Sequence, residues 1–113
     1  MSDENLRDEQ AILTEIRKRA KAGNVRLTLH AQQEMIEESI KIADIYQAIA
    51  SGQILENYPL HQRGACCLLG GQDIQGRNIH IVCTTAQPVL IIITAYLPLP
   101  PKWITPTQRG RPE

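Results

Sequence analysis

Residues 65–85 read ACCLLGGQDIQGRNIHIVCTT, two apolar runs on either side of the polar stretch DIQG. Runs of this length around a short turn-forming segment predict an antiparallel β-hairpin. Centring the turn on Ile74 and Gln75 sets Asp73 opposite Gly76, Leu69 opposite His80, Cys67 opposite Val82 and Cys66 opposite Cys83. Side chains alternate along a strand, so Cys66, Leu68, Ile79, Ile81 and Cys83 share one face. Cys67, Leu69, Asn78, His80 and Val82 share the other. The first set is the more uniformly apolar and is expected to face helices, which leaves His80 on the open face. A slip of one residue in the turn would exchange a strand's two faces.

Working outward, AQP leads from this hairpin into VLIIITAYL (89–97), and QILENY (53–58), stopped by Pro59, precedes it. That makes four strands in an antiparallel meander. Residues 99–113 are proline-rich, and proline cannot donate to a ladder. They predict an extended tail without further pairing, folded back onto the domain by Trp103.

Before residue 53 the period changes to that of helices. Residues 4–22 carry an apolar stripe of Leu6, Ile12, Leu13, Ile16 and Ala20, with Glu4, Asp8 and Glu9 early and Arg17, Lys18, Arg19 and Lys21 late, as the helix dipole favours. Gly23 supplies the stop. The basic run RKRAK reads as a solvated helix end paired with its own acids. A short extended piece, VRL, leads to a second helix over 29–38, with Thr28 as N-cap and Ser39 ending it. A third covers 42–51, where Ile42, Ile45, Tyr46 and Ile49 form a stripe and Gly52 closes the helix. The expected fold class is α+β: three N-terminal helices followed by a four-stranded antiparallel β-meander. One domain spans 1–113, with 4–22 an N-terminal helix, 24–98 the core and 99–113 the tail.

Phe is absent and there is a single Trp, so Ile, Leu, Val and Ala must build the core. Twelve basic and twelve acidic residues cancel, but unevenly: two basic against five acidic over 23–58, and five against two over 59–113. A mildly basic C-terminal half permits a phosphate ligand without the general excess of a dedicated nucleic-acid binder. The acidic N-terminus and the lack of a long apolar run predict a cytoplasmic protein with no membrane segment. Cys66, Cys67 and Cys83 are an odd set without CxxC spacing, and Cys66 and Cys67 point to opposite faces. Cys66 and Cys83 read as buried thiols; no metal site and no cofactor is expected.

Candidate chemistry rests on few residues. His30 lies in the first turn of its helix, where the dipole disfavours protonation and Glu34, one turn on, favours it. A histidine so placed can serve as a general base near neutral pH or simply close a helix end. His80 projects from the open sheet face. Tyr96 sits at a strand end and Arg77 in a turn.

HAQQEM (30–35), EESI (37–40), GQILENYP (52–59), GRNIHIV (76–82), IIITAYLP (91–98) and the trailing Trp103 together resemble the bacterial family called domain of unknown function 4258. The likeness runs from about Thr28 to Arg109. It implies a domain similar to RelE-like and barnase-like ribonuclease toxins, with RNA as substrate and an antitoxin protein as partner. The positions that match the motif are His30, Gly76, Arg77, His80, Tyr96, Trp103 and Arg109. Glu34 and Glu38 stand where the family pattern carries arginines, and Ser39 where it carries glycine.

The expected function is therefore a metal-independent ribonuclease of the toxin type. His80 is base or acid, His30 or Tyr96 its counterpart, and Arg77 or Arg109 the phosphate cation. The alternative is a non-catalytic protein-interaction module with the same fold, favoured by zero net charge and by Glu34 and Glu38. The two differ in whether His30, His80, Tyr96 and an arginine line one concave basic surface.

Overall fold

The computed structural model describes residues 2–62, 64–85, 88–100 and 103–110, with residues 2–8 described by backbone alone. The places expected for the side chains of Glu4, Leu6 and Asp8 therefore lie outside what is described. Helix α1 (Ser2–Lys21) is followed by strand β1 (Val25–Leu27), then α2 (Leu29–Glu37) and α3 (Ile42–Ser51). Strands β2 (Gln53–Tyr58), β3 (Cys66–Gln72), β4 (Asn78–Thr84) and β5 (Leu90–Tyr96) come next, and β6 (Trp103–Thr105) and β7 (Gln108–Arg109) complete the chain order.

The helices end as their residues dictate. Gly23 takes a left-handed φ of 76°, and the amides of Gly23 and Asn24 donate back to the carbonyls of Ala20 and Arg19, closing α1. Thr28 caps α2 by accepting from the Ala31 amide at 3.0 Å. Gly52 follows α3 for another reason: its φ is −90°, but a Cβ there would stand 2.5 Å from the Ala48 carbonyl oxygen and 2.6 Å from that of Gly70.

The expectation of a four-stranded antiparallel meander after three helices, a RelE-like toxin architecture, is corrected. The sheet has five strands in the order β1-β5-β4-β3-β2, and β1, which lies between the helices in sequence, pairs with β5 in parallel. Three residues are too few for alternation to announce a strand. What makes VRL one is the free edge of β5, which takes Val25 opposite Leu90 and Leu27 opposite Ile92.

The register of the central hairpin also differs from the sequence reading. Cys67 lies opposite Cys83 and Gly70 opposite His80, a shift of one residue. The cause is the turn. The Gly76 amide donates to the Asp73 carbonyl, Gly76 adopts a φ of 87°, and Asp73 and Arg77 form the closing pair, so the loop has three residues and not two. Strand β4 keeps its expected faces and β3 exchanges them. Cys67 and Leu69, not Cys66 and Leu68, join Ile79, Ile81 and Cys83 in the core.

That core is aliphatic. Ile16 and Ala20 from α1, Ala31 and Met35 from α2, and Ile45, Ala48 and Ile49 from α3 pack on Leu90, Ile92 and Ala95 of β5 and the inner residues of β3 and β4. Helix α3 lies so close to β3 that a Cβ on Gly71 would fall 2.1 Å from the Ala48 carbonyl oxygen. The opposite sheet face carries the functional candidates. There the expected ladder-free tail is corrected: Trp103 pairs with Arg109 and Thr105 with Gln108 in a two-stranded hairpin. Pro106 sits at its tip, where no ladder donor is required. Residues 101–102 and 111–113 of that tail lie outside the described residues.

Candidate functional site

Two β-bulges shape the outer sheet face. In β2, Ile54 pairs with Leu69 on the core side, yet Glu56 pairs with Leu68 on the outer side, because Leu55 is an extra residue between them. In β5, Ile92 pairs with Cys83 and Thr94 with Val82, with Ile93 the extra residue. Each bulge reverses the alternation downstream of it. Glu56, Leu68, Val82 and Thr94 then form one transverse row of direct neighbours across four strands. At the usual strand separation this row spans about 14 Å.

The row floors a groove of about 390 Å³. Leu68, Val82 and Ile93 give it an apolar base. His30 and Glu34 of α2 stand on the β5 side, Glu56, Tyr58 and Arg109 on the β2 side, and Tyr96 beside them. Thr28 fixes the α2 wall, since its hydroxyl donates to the Ile93 carbonyl at 2.8 Å while its oxygen caps the helix. The His30 side chain is 66 % exposed and its Nε2 lies 3.4 Å from Glu34 Oε1. This histidine is open to a ligand and has a carboxylate to orient it.

Arg109 is held on three sides. Its Nε and one terminal nitrogen donate to both Glu56 carboxylate oxygens, at 2.5 and 2.7 Å, and its guanidinium lies 4.7 Å from the Trp103 ring centroid. Tyr58 also donates its hydroxyl to Glu56. The hydrogen bond from Arg109 holds the Glu56 carboxyl below its ordinary range, and bonding to Glu56 raises Tyr58. Arg109 itself is raised by Glu56, so it is a permanent cation. Two of five guanidinium N–H donors are spent on Glu56, and Tyr58 is a further hydrogen-bond partner.

His80 occupies a different position from the one read from sequence. It is 1 % exposed and sits beneath the hairpin. Its Nε2 lies 2.6 Å from the Pro106 carbonyl and its Nδ1 3.3 Å from the Tyr96 hydroxyl. A carbonyl only accepts, so Nε2 carries the proton and Nδ1 accepts from Tyr96. Burial lowers the pKa of His80 and keeps the ring neutral. Burial likewise raises Tyr96. With both nitrogens engaged and no exposure, His80 supports Tyr96 and the hairpin from behind.

Arg77 belongs to the turn. It donates to Asp73 at 2.6 Å and to the carbonyls of Glu38 and Ser39 at 3.2 and 2.9 Å, tying the β3–β4 turn to the end of α2. It is not among the groove residues. Of the residues singled out in the sequence, the fold brings together His30, Tyr96 and Arg109; His80 lies below them and Arg77 elsewhere.

Glu34 and Glu38 also find their place. Where β1 ends, the edge of β5 continues, and among the described residues no strand pairs with it there. Glu34 accepts from the Ala95 amide at 3.1 Å and from the Thr94 hydroxyl, and Glu38 accepts from the Leu97 amide at 2.6 Å. Residues i and i+4 of a helix are about 6 Å apart along its axis, close to the 6.7 Å between i and i+2 of a strand. The two carboxylates thus substitute for the missing strand. Glu56 and Tyr58 were not singled out from sequence; their only signal is the polar pair at i and i+2 in ILENYP.

Cys67 and Cys83 face each other with sulfurs 3.9 Å apart, and both are buried. Hydrogen bonding to Cys67 and burial raise Cys83 well above the usual thiol range, marking inert packing groups. Among the described residues, no three His, Cys, Asp or Glu side chains gather as a metal cage. No helix among them is long and apolar enough to cross a membrane.

A family model described as domain of unknown function (DUF4258) matches residues 27–97, more than half of the chain. The chain belongs to that family. No curated protein and no solved structure gives a significant match. The DUF4258 span begins at the end of β1 and closes just after β5, so it contains His30, Glu34, Glu56, Tyr58, His80 and Tyr96. Trp103 and Arg109, on the hairpin that closes the groove, lie beyond it, although the resemblance read from the sequence extended to Arg109.

Proposed function

We propose that this DUF4258 chain is a metal-independent ribonuclease of the toxin type, working in the groove between α2 and β7, with an antitoxin protein as its partner. The observation that carries the reading is the meeting of His30 and Arg109 on opposite walls of one groove, an exposed imidazole and a pre-oriented cation. RNA transesterification needs both kinds of group. His30 takes the proton of the 2′-hydroxyl as its oxygen attacks phosphorus and the P–O5′ bond breaks. Arg109 neutralises the crowded phosphate with its permanent charge. The leaving 5′-oxygen receives its proton from the Tyr96 hydroxyl, and the proton that His30 took restores Tyr96 through solvent. The products are a 2′,3′-cyclic phosphate and a 5′-hydroxyl.

A second reading has its own support. Glu34 beside His30 and Glu56 on Arg109 offset the positive charge, which suits a non-catalytic module that binds a protein. The deciding experiment is cleavage of a long, end-labelled RNA in the presence of a chelator, with wild type, His30→Ala and Arg109→Ala at matched purity. Cyclic phosphate ends from the wild type, lost in both variants, are the expected result. A folded wild type that leaves the RNA intact overturns the ribonuclease reading in favour of the module.

A further inference from the structure

The basic run RKRAK, residues 17–21, divides in the fold. Arg19 turns to Glu15 at 3.5 Å and reaches the Thr85 carbonyl at 3.4 Å. The other three cations turn elsewhere. Arg17 donates to the carbonyls of Ile49 and Gly52, at 3.1 and 2.7 Å, and so lies across the end of α3. Lys18 and Lys21 are exposed, and among the described residues no carboxylate comes within ion-pair distance of either. The reading of this run as a helix end paired with its own acids holds for Arg19 alone.

Arg17, Lys18 and Lys21 edge a groove of about 690 Å³ between α1 and α3. Its lining is mainly apolar, from Ala20, Tyr46, Ile49 and Ala50, and none of the residues that line it is acidic. It shares no residue with the groove that holds His30 and Arg109.

We propose that the α1–α3 groove docks an acidic amphipathic helix of a partner protein. Along α1 the lining residues Thr14, Arg17, Lys18 and Lys21 follow at i, i+3, i+4 and i+7, and along α3 Tyr46, Ile49 and Ala50 follow at i, i+3 and i+4. The trough is therefore two helical turns long, about 10 Å, with a helix as each wall. A third helix lies in such a trough with its own apolar stripe on the floor, repeating at the same intervals. The charge selects acidic flanks: among the described residues, every charged group that lines the groove is a cation. A second copy of this chain docked through a twofold axis would set the same cations against each other, which disfavours self-association here. This proposal stands apart from the ribonuclease reading.

The test is fluorescence anisotropy with a dye-labelled amphipathic peptide, a leucine stripe flanked by glutamates, against the same stripe flanked by lysines. The glutamate peptide should bind the full chain, weaken as salt rises, and exceed the lysine peptide by at least about tenfold. Lys18→Glu with Lys21→Glu, both exposed and remote from the core, should invert that preference. Ala50→Trp should fill the trough and abolish binding without loss of helical circular dichroism. Equal binding of the two peptides, or none, overturns the proposal. Displacement of the peptide by decanoate at lower concentration reassigns the trough to a small amphipathic anion and overturns it too. A dimer in size-exclusion chromatography that the charge reversal abolishes would assign the face to a second copy, with the same consequence.

Discussion

The imidazole of His80 stands edge-on to the indole of Trp103, with ring centroids 4.3 Å apart and planes at 89°. Through that contact and the Pro106 carbonyl, one buried histidine seats the hairpin that carries Arg109 into the groove. His80 is thus a positioning residue in this structure, and its loss should be read first in the hairpin. Removal by His80→Ala strands a carbonyl and empties a packed site, a cost of roughly 2–4 kcal/mol. His80→Phe keeps a ring but not the donor and should cost less, about 1–3 kcal/mol. Trp103 is the only tryptophan in the sequence. A red shift of its emission, larger for the alanine variant, checks both expectations; unchanged emission in both would show that the hairpin is held otherwise.

Acid should loosen the same hairpin. Burial lowers the folded-state pKa of His80, and Arg109 lowers that of Glu56. In each case the unfolded chain binds protons at a pH where the folded chain does not, so stability rises with pH across the interval. Full stability lies above the ordinary histidine value of about 6.5, and loss begins below it. Glu56 adds its share below the ordinary carboxylate value of about 4.3. Trp103 emission followed from pH 8 downward should change in that order, and Glu56→Gln should remove the later phase.

The carboxylates on the β5 edge can be tested apart from chemistry. Glu34→Ala and Glu38→Ala each remove the acceptor of a β5 amide, at about 1–2 kcal/mol apiece, whereas Gln at either position keeps an acceptor and should cost less. The double alanine variant exposes an unpaired strand edge and should self-associate in size-exclusion chromatography. A monomeric double variant of unchanged stability would refute the role of these residues as a substitute strand.

Arg77 provides a control for the ribonuclease reading. Asp73 is buried but for 4 % of its surface and accepts from Arg77 and from the Gln75 and Arg77 amides. Burial pushes its carboxyl upward, and the bonds from Arg77 and Gln75 outweigh that and lower it. Arg77→Ala should lower the melting temperature, because the Asp73 carboxylate loses its charged partner. Below the melting range it should leave RNA cleavage at the wild-type level, while Arg109→Ala does not. Equal loss in both would return Arg77 to the list of phosphate cations.

Close packing of α3 on the sheet can be probed at Gly71. A Cβ there meets the Ala48 backbone, which has no flexible end to yield. Gly71→Ala should cost about 3 kcal/mol or more, at the upper end of overpacking effects. Thermal melts of the variant against wild type measure it.

The sequence by itself determined the elements whose cause is local. The caps at Thr28 and Gly23, the stripe of α3, the existence of four long strands and their antiparallel succession all follow from neighbours within a few residues, where side-chain period and turn chemistry act. The mixed sheet does not, because β1 becomes a strand only against β5, a partner far along the chain. Nor does the hairpin register, which depends on whether Gly76 takes a left-handed turn position and adds a residue to the loop. The site was the least legible part. Strict alternation would leave Glu56 on the face of Ile54 and Thr94 on the face of Ile92, toward the core; the bulges at Leu55 and Ile93 turn both outward. The burial of His80 was equally invisible, since an alternating strand says which face a side chain takes but not what later chain will cover it. Only the tertiary fold, by folding residues 103–109 over the sheet, decided that His30 and Arg109 share the open groove and His80 lies beneath it.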